Sequence, residues 1–157
     1  MKENKNKNYI SGRVAEAIVE QMFKQAGYVI LRYGYESIAQ NLIQSTNRQT
    51  TSTWLEVVES APDFIVKDSN KFLYFLEVKY RSKFNKEELT KNLEKQSKYW
   101  GRTHVILVTP VAPFFTMLYR YNDSWVKVEL KDFKGVSKIP KELLTEMETI
   151  VQYFFKK

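Results

Sequence analysis

Residues 72–80, Phe-Leu-Tyr-Phe-Leu-Glu-Val-Lys-Tyr, constrain this chain more than any other stretch. Side chains of an extended strand alternate between faces, so Leu73, Phe75, Glu77 and Lys79 share one side while Tyr74, Leu76, Val78 and Tyr80 share the other. Both sides are apolar up to Glu77. A strand apolar on two faces belongs inside a sheet covered on both sides, the arrangement of α/β proteins rather than of an open antiparallel sheet. An ionised carboxylate in that setting costs several kcal/mol unless it is paired or metal-bound. Glu77 therefore requires a partner.

Around this strand, helical and extended patterns alternate. Residues 1–10 begin Lys- and Asn-rich and are expected to form a disordered basic tail, leaving residues 11–157 as a single domain. A helix is predicted from the N-cap Ser11 to Gly27, with Ala15, Ile18, Val19, Met22 and Phe23 on one buried stripe. Residues 28–33 are β-branched and aromatic and read as a strand. Residues 36–44 fit a short helix, residues 44–53 a polar loop without a carboxylate, suited to facing phosphates or to a plain linker, and residues 54–58 either strand or helix. Asp63 to Lys67 and the strand at 72–80 flank Asp68-Ser69-Asn70, whose turn chemistry predicts an antiparallel hairpin. Asn85 with Glu88 resembles a capping box opening a helix that ends at Gly101. Strands follow at 104–109, 115–121 and 125–130, and Pro140 opens a last helix. The order αβ(α)ββαβββα predicts an α/β fold with a mixed β-sheet flanked by helices.

Asp63 begins one arm of the predicted hairpin, directly after Pro62, and Glu77 lies toward the end of the other. Pairing of the two arms brings these carboxylates together. Two hard oxygen donors at one opening suit Mg²⁺, which keeps several waters and takes a substrate phosphate oxygen as well. Lys79, two residues beyond Glu77 on the same face, reaches the same phosphate or an attacking water.

Pro62-Asp63, a gap, then Glu77-Val78-Lys79 resembles the PD-(D/E)XK signature of restriction enzymes, Holliday-junction resolvases and RecB-like nucleases. The resemblance implies a restriction-endonuclease-like core of αβββαβ type over roughly residues 11–110. It also implies a Mg²⁺-dependent endonuclease, with Mn²⁺ able to substitute, that hydrolyses phosphodiester bonds of DNA. Such families often place a Glu on the first helix to complete the metal site. On a helical wheel Glu16 falls about 20° past Phe23, and Glu20 about 60° past it, so Glu16 is the candidate fourth member, against the plainer role of a solvated flank. Gln96 sits on the apolar stripe of the helix after residue 85. Its setting resembles the Gln-x-x-x-Tyr element of RecB-like nucleases with Trp100 in place of Tyr, and its amide either contacts substrate or is satisfied internally.

The charge distribution bears on the partner. Between Lys79 and Arg102 stand eight basic and three acidic residues, within a chain of net charge +7. A concentrated basic region is either the footprint of a polyanion or a solvated helix face laced with ion pairs. Arg81, Lys83 and Lys98 are the candidate phosphate contacts, together with Gln96. His104, the one histidine, precedes an apolar strand and reads as structural. The absence of cysteine excludes disulfides and thiolate metal sites and fits a reducing compartment. No signal peptide or membrane span is apparent, so the expectation is a cytoplasmic protein with no membrane partner; a homodimer is left open. The rival reading is a catalytically inactive nuclease-fold module that binds nucleic acid without cutting it. Paired carboxylates beside a phosphate argue against it, because without a metal they only repel the ligand.

Overall fold

The structure, a computed structural model, describes residues 2–33, 56–58, 60–83, 85–101, 103–135 and 138–155, and within them all side chains but those of residues 2–7, 86, 88 and 92. Helix α1 spans Lys2–Gln25 and leads into strand β1, Val29–Arg32. Strands β2, Phe64–Lys67, and β3, Leu73–Tyr80, precede helix α2, Lys86–Trp100. Strands β4, Thr103–Val108, β5, Phe115–Tyr121, and β6, Ser124–Glu129, then lead through a 3-10 turn, Leu130–Asp132, to helix α3, Lys141–Phe155. The readings made for residues 36–53, and Arg102, lie outside the described residues.

The strands form one mixed sheet in the order β1-β2-β3-β4-β5-β6. All neighbours are antiparallel except β3 and β4, which run parallel with Glu77 beside Val105. A parallel pair needs a crossover connection, and α2 supplies it. Side-chain parity then decides the layers. Tyr74, Leu76 and Val78 join a core cluster with Ile106, Val108 and the buried stripes of α1 and α3, while Val105, Leu107 and Leu118 meet Leu89 and Leu93 of α2 on the opposite face. The protein is thus α/β, with α1 and α3 on one side of the sheet and α2 on the other. None of the described helices is long and apolar enough to cross a membrane.

The structure departs from the sequence reading in three places. Helix α1 starts at Lys2 rather than Ser11, so residues 2–10, expected as a disordered tail, continue the helix. Lys and Glu are good helix formers, no Pro or Gly interrupts this stretch, and each residue added to an existing helix gains a hydrogen bond without a new nucleus. Strand β3 begins at Leu73, and Leu73 is 69% exposed although it belongs to a face expected to be covered. The cause is the length of α2: it ends at Trp100, Gly101 turns the chain at φ +62°, and β4 enters opposite Phe75, so nothing from this helix extends over Leu73. The β2–β3 hairpin closes through residues 68–72, with Lys71 at φ +66° and the Asp68 carboxylate accepting the Phe72 N–H at 2.8 Å. A left-handed Lys has no signature in the sequence, whereas Asn122-Asp123, both at positive φ between β5 and β6, is a recognisable two-residue hairpin turn.

Candidate functional site

The last ladder pair of β2 and β3 on this side is Phe64 opposite Leu76, and one step further Asp63 faces Glu77. There the side chains take over from the backbone. The Asp63 N–H donates to Glu77 Oε2 at 3.2 Å, and the Val78 N–H donates to Asp63 Oδ2 at 2.7 Å. Each carboxylate thus satisfies an amide of the opposite strand, which fixes both side chains at the end of the sheet. The Tyr33 N–H donates to the Asp63 carbonyl at 2.8 Å and ties the end of β1 to the same point.

Glu77 is 4% exposed and finds the partners its burial demands. Its Oε1 pairs with the Lys79 ammonium, and its Oε2 accepts from Gln96 Nε2 at 2.8 Å as well as from Asp63. Gln96 is itself buried, so its amide is satisfied internally by Glu77 and does not present itself to solvent. Lys79 lies on the same face of β3 as Glu77, with its side chain 30% exposed.

The electrostatics of this trio are those of like charges compressed by burial. Burial, then the charge of Glu77, hold the Asp63 carboxyl well above the usual carboxylate range; Lys79 and the Val78 amide oppose them, and Glu16 adds a smaller push upward. Burial alone would lower the Lys79 ammonium, but Glu77 and Asp63 outweigh it and hold its pKa above the ordinary lysine value. Lys79 is therefore a cation across the neutral range.

Glu16 stands nearby on α1, its carboxylate bound by Arg13 at 2.9 Å and by Arg32 at 3.2 Å. Glu20, one turn on, pairs with Lys24 at 2.7 Å and with the other guanidinium nitrogen of Arg32 at 2.6 Å. Among the described residues no three acidic, His or Cys side chains form a ready ligand set, and Glu16 Oε2 is held by the two arginines. Asp63 and Glu77 nevertheless suit a hard divalent cation: both are oxygen donors, and a buried like-charge pair is relieved by a cation placed between the charges.

The remaining candidates scatter. Arg81 donates from its guanidinium to the Tyr80 carbonyl at 2.9 Å, and Lys83 is exposed just beyond β3. Lys98 lies about 200° around α2 from Gln96, with its ammonium over the Tyr99 ring at 5.0 Å, so these two side chains point in opposite directions and do not share a site. His104 lies within β4, its ring edge-on to Tyr74 at 5.1 Å and to Phe133 at 5.9 Å.

Sequence reasoning passed over Arg13 and Arg32, and noted Trp100 only as the residue standing in place of Tyr. A signal existed for the first two: Arg13 is three residues from Glu16 on the helix, and Arg32 shares a strand face with the core residue Ile30. The Trp100 indole N–H is shared between the Val57 carbonyl at 3.1 Å and Ser60 Oγ at 3.3 Å, anchoring the segment that leads into Pro62 and Asp63. That contact spans 40 residues or more and has no local trace. No family model matches the sequence, and a search of curated proteins returns no relative.

Proposed function

We propose that this protein is a Mg²⁺-dependent nuclease with a PD-(D/E)XK-type site on a restriction-endonuclease-like core, hydrolysing phosphodiester bonds of nucleic acid, DNA foremost. The observation that carries the reading is the meeting of Asp63, Glu77 and Lys79 at the end of the β2–β3 hairpin, where the Asp63 amide holds the Glu77 carboxylate and the Val78 amide holds that of Asp63. Among the described residues, the order α1, β1, β2, β3, α2, β4 of the main elements supports it. So does the parallel β3–β4 pair, which sets Glu77 on an interior strand of the sheet.

Asp63 and Glu77 would hold the cation, with Glu16 the third donor once its arginines release it. When bound, the ion polarises a phosphate oxygen and makes coordinated water a better nucleophile. The chain's own residues do the rest. Gln96 orients Glu77 by occupying one lone pair of its Oε2, leaving the orientation of Oε1 to Lys79. Lys79, kept protonated, donates to a non-bridging phosphate oxygen and stabilises the charge that builds there in the transition state; a cation of this kind is a poor general base. Burial and the charge of Glu77 raise the proton affinity of Asp63, so a cation held there would compete with a proton for the same carboxylate.

The test is direct. Linear, supercoiled, single-stranded and four-way-junction DNA, and RNA, are each incubated with the protein in Mg²⁺, in Mn²⁺ and in EDTA, with Glu77→Gln as control. Cleavage of at least one substrate in metal, lost in EDTA and in the variant, is the expected result. Binding without cleavage under every metal condition would instead make the protein a nuclease-fold module that grips nucleic acid.

A further inference from the structure

The arrangement of Glu16, Glu20 and Arg32 has an economy that the proposed nuclease site does not by itself explain. Arg32 closes β1, next to Tyr33, whose amide binds the Asp63 carbonyl. Its guanidinium reaches across to α1 and divides itself, one nitrogen on Glu16 at 3.2 Å and the other on Glu20 at 2.6 Å. The rest of the group lies over the Phe64 ring at 5.3 Å, so its position is fixed by the sheet as well as by the helix. Glu16 contributes to the negative potential at Asp63 and is therefore electrostatically part of the site, yet its carboxylate is spent on Arg13 and Arg32.

We propose that Arg32 is a latch: in the metal-free protein it competes with the divalent cation for Glu16, and Glu20 is its alternative anchor when Glu16 turns to the ion. The inference rests on the nuclease reading and adds its regulation. A guanidinium and a divalent cation cannot both neutralise one carboxylate at full strength, so each weakens the hold of the other. Glu20 makes the exchange cheap. The shorter of the two contacts of Arg32 is the one to Glu20, and a guanidinium that keeps it loses a single hydrogen bond rather than its whole pairing when Glu16 leaves. Glu16 and Glu20 thus differ in kind, the first a ligand held in reserve and the second a positioning residue that draws Arg32 away. Arg13, three residues from Glu16 on the same helix, holds the same carboxylate oxygen at 2.9 Å and is a second competitor; Arg32 is the one that Glu20 can draw away.

The opposite signs expected for two charge-removing variants make this testable without cleavage. Isothermal titration of the full chain with Mn²⁺, in the absence of nucleic acid, compares wild type, Arg32→Gln, Arg32→Lys, Glu20→Gln, Glu16→Gln, Glu77→Gln and the double variant Glu16→Gln with Arg32→Gln. Arg32→Gln should tighten Mn²⁺ binding by about tenfold, the scale of one charge-assisted hydrogen bond that no longer holds Glu16. Glu20→Gln should weaken it by several-fold, because Arg32 then falls wholly on Glu16. In the Glu16→Gln background the Arg32 substitution should shift affinity by less than about threefold, since no carboxylate remains to compete for. Arg32→Lys, which keeps the charge but loses the forked geometry, should fall between wild type and Arg32→Gln. Circular dichroism establishes that each variant is folded. If wild type takes up no Mn²⁺, or Glu77→Gln takes it up equally well, the nuclease site itself fails. If wild type binds and Glu77→Gln does not, but Arg32→Gln leaves affinity unchanged or the same gain persists without Glu16, the site stands and the latch is wrong.

Discussion

Replacing Asp63 by Asn separates the two consequences of its charge. Directly opposed residues of an antiparallel pair have Cβ atoms about 5 Å apart, and two negative charges at that distance repel by about 3 kcal/mol in an effective dielectric of about 20. Lys79 offsets part of this, so Asp63→Asn should raise stability in EDTA at neutral pH by about 1–2 kcal/mol. The amide keeps an oxygen to accept the Val78 N–H, so the hydrogen bond that fixes residue 63 survives. The pH dependence follows from burial first and the Glu77 charge second, which raise the Asp63 carboxyl above its unfolded value. A raised acid favours the folded state while protonated; that contribution is complete below the ordinary carboxylate range and is lost as pH climbs through the raised value. Asn does not titrate, so the advantage of the variant should be smallest near pH 4 and grow toward neutrality. Urea unfolding of both proteins in EDTA at about pH 4.5, 6 and 7.5 measures it. In Mg²⁺ the order should reverse, because only wild type gains from the bound ion, and cleavage by the variant should fall at least about a thousandfold, the scale of ~4 kcal/mol. An Asn variant less stable than wild type in EDTA at neutral pH, by more than about 1 kcal/mol, would refute the repulsion on which the site is argued.

Gln96→Leu removes the amide from Glu77 Oε2 and leaves part of a buried carboxylate unsatisfied, which should cost about 1–3 kcal/mol in chemical denaturation and slow cleavage; equal stability would mean that water replaces the amide. Glu16→Gln should impair cleavage much more than Glu20→Gln in a single-turnover assay, and equal rates for the two would remove Glu16 from the metal site. His104→Phe should alter the acid limb of stability. Burial holds the imidazole below its ordinary pKa and Nδ1 finds no hydrogen-bond partner among the described residues, so as pH falls through about 6.5 the unfolded chain takes up the proton first and wild type loses stability. The variant should lack that loss, and urea midpoints that fall in parallel for the two proteins between about pH 7.5 and 5 would contradict this account.

What the sequence disclosed and what it withheld divide by the range of the interaction. The alternation along residues 72–80 identified a central strand and marked Glu77 as a charge in need of a partner, and the hairpin pattern brought Asp63 to it, because period and turn chemistry are local. Which atoms satisfy Glu77 was not legible: Gln96 is 19 residues away, and its register on α2 is set by Leu89 and Leu93 packing on the sheet. Charge counting was the coarsest guide. It marked the segment around α2 as basic, but the helical phase turns Lys98 away from the face that carries Gln96, and composition carries no phase. The first helix was read too short because a run of Lys and Asn resembles a tail in composition, whereas its fate depends on the helix to which it is joined.

The unequal fastening of the helices gives the molecule two levels of failure. Helices α1 and α3 share the larger core on one face of the sheet, whereas α2 rests on the smaller cluster of Leu89, Leu93, Val105, Leu107 and Leu118 on the other. Yet α2 carries Gln96 against Glu77 and Trp100 against the segment entering Asp63. A sub-global opening that lifts α2 alone would leave the sheet and the opposite helices hydrogen-bonded, with amide protons there still slow to exchange, while the carboxylates lost their supports. Warming should therefore silence the protein before it melts, and cooling should bring it back without the chain ever having had to refold.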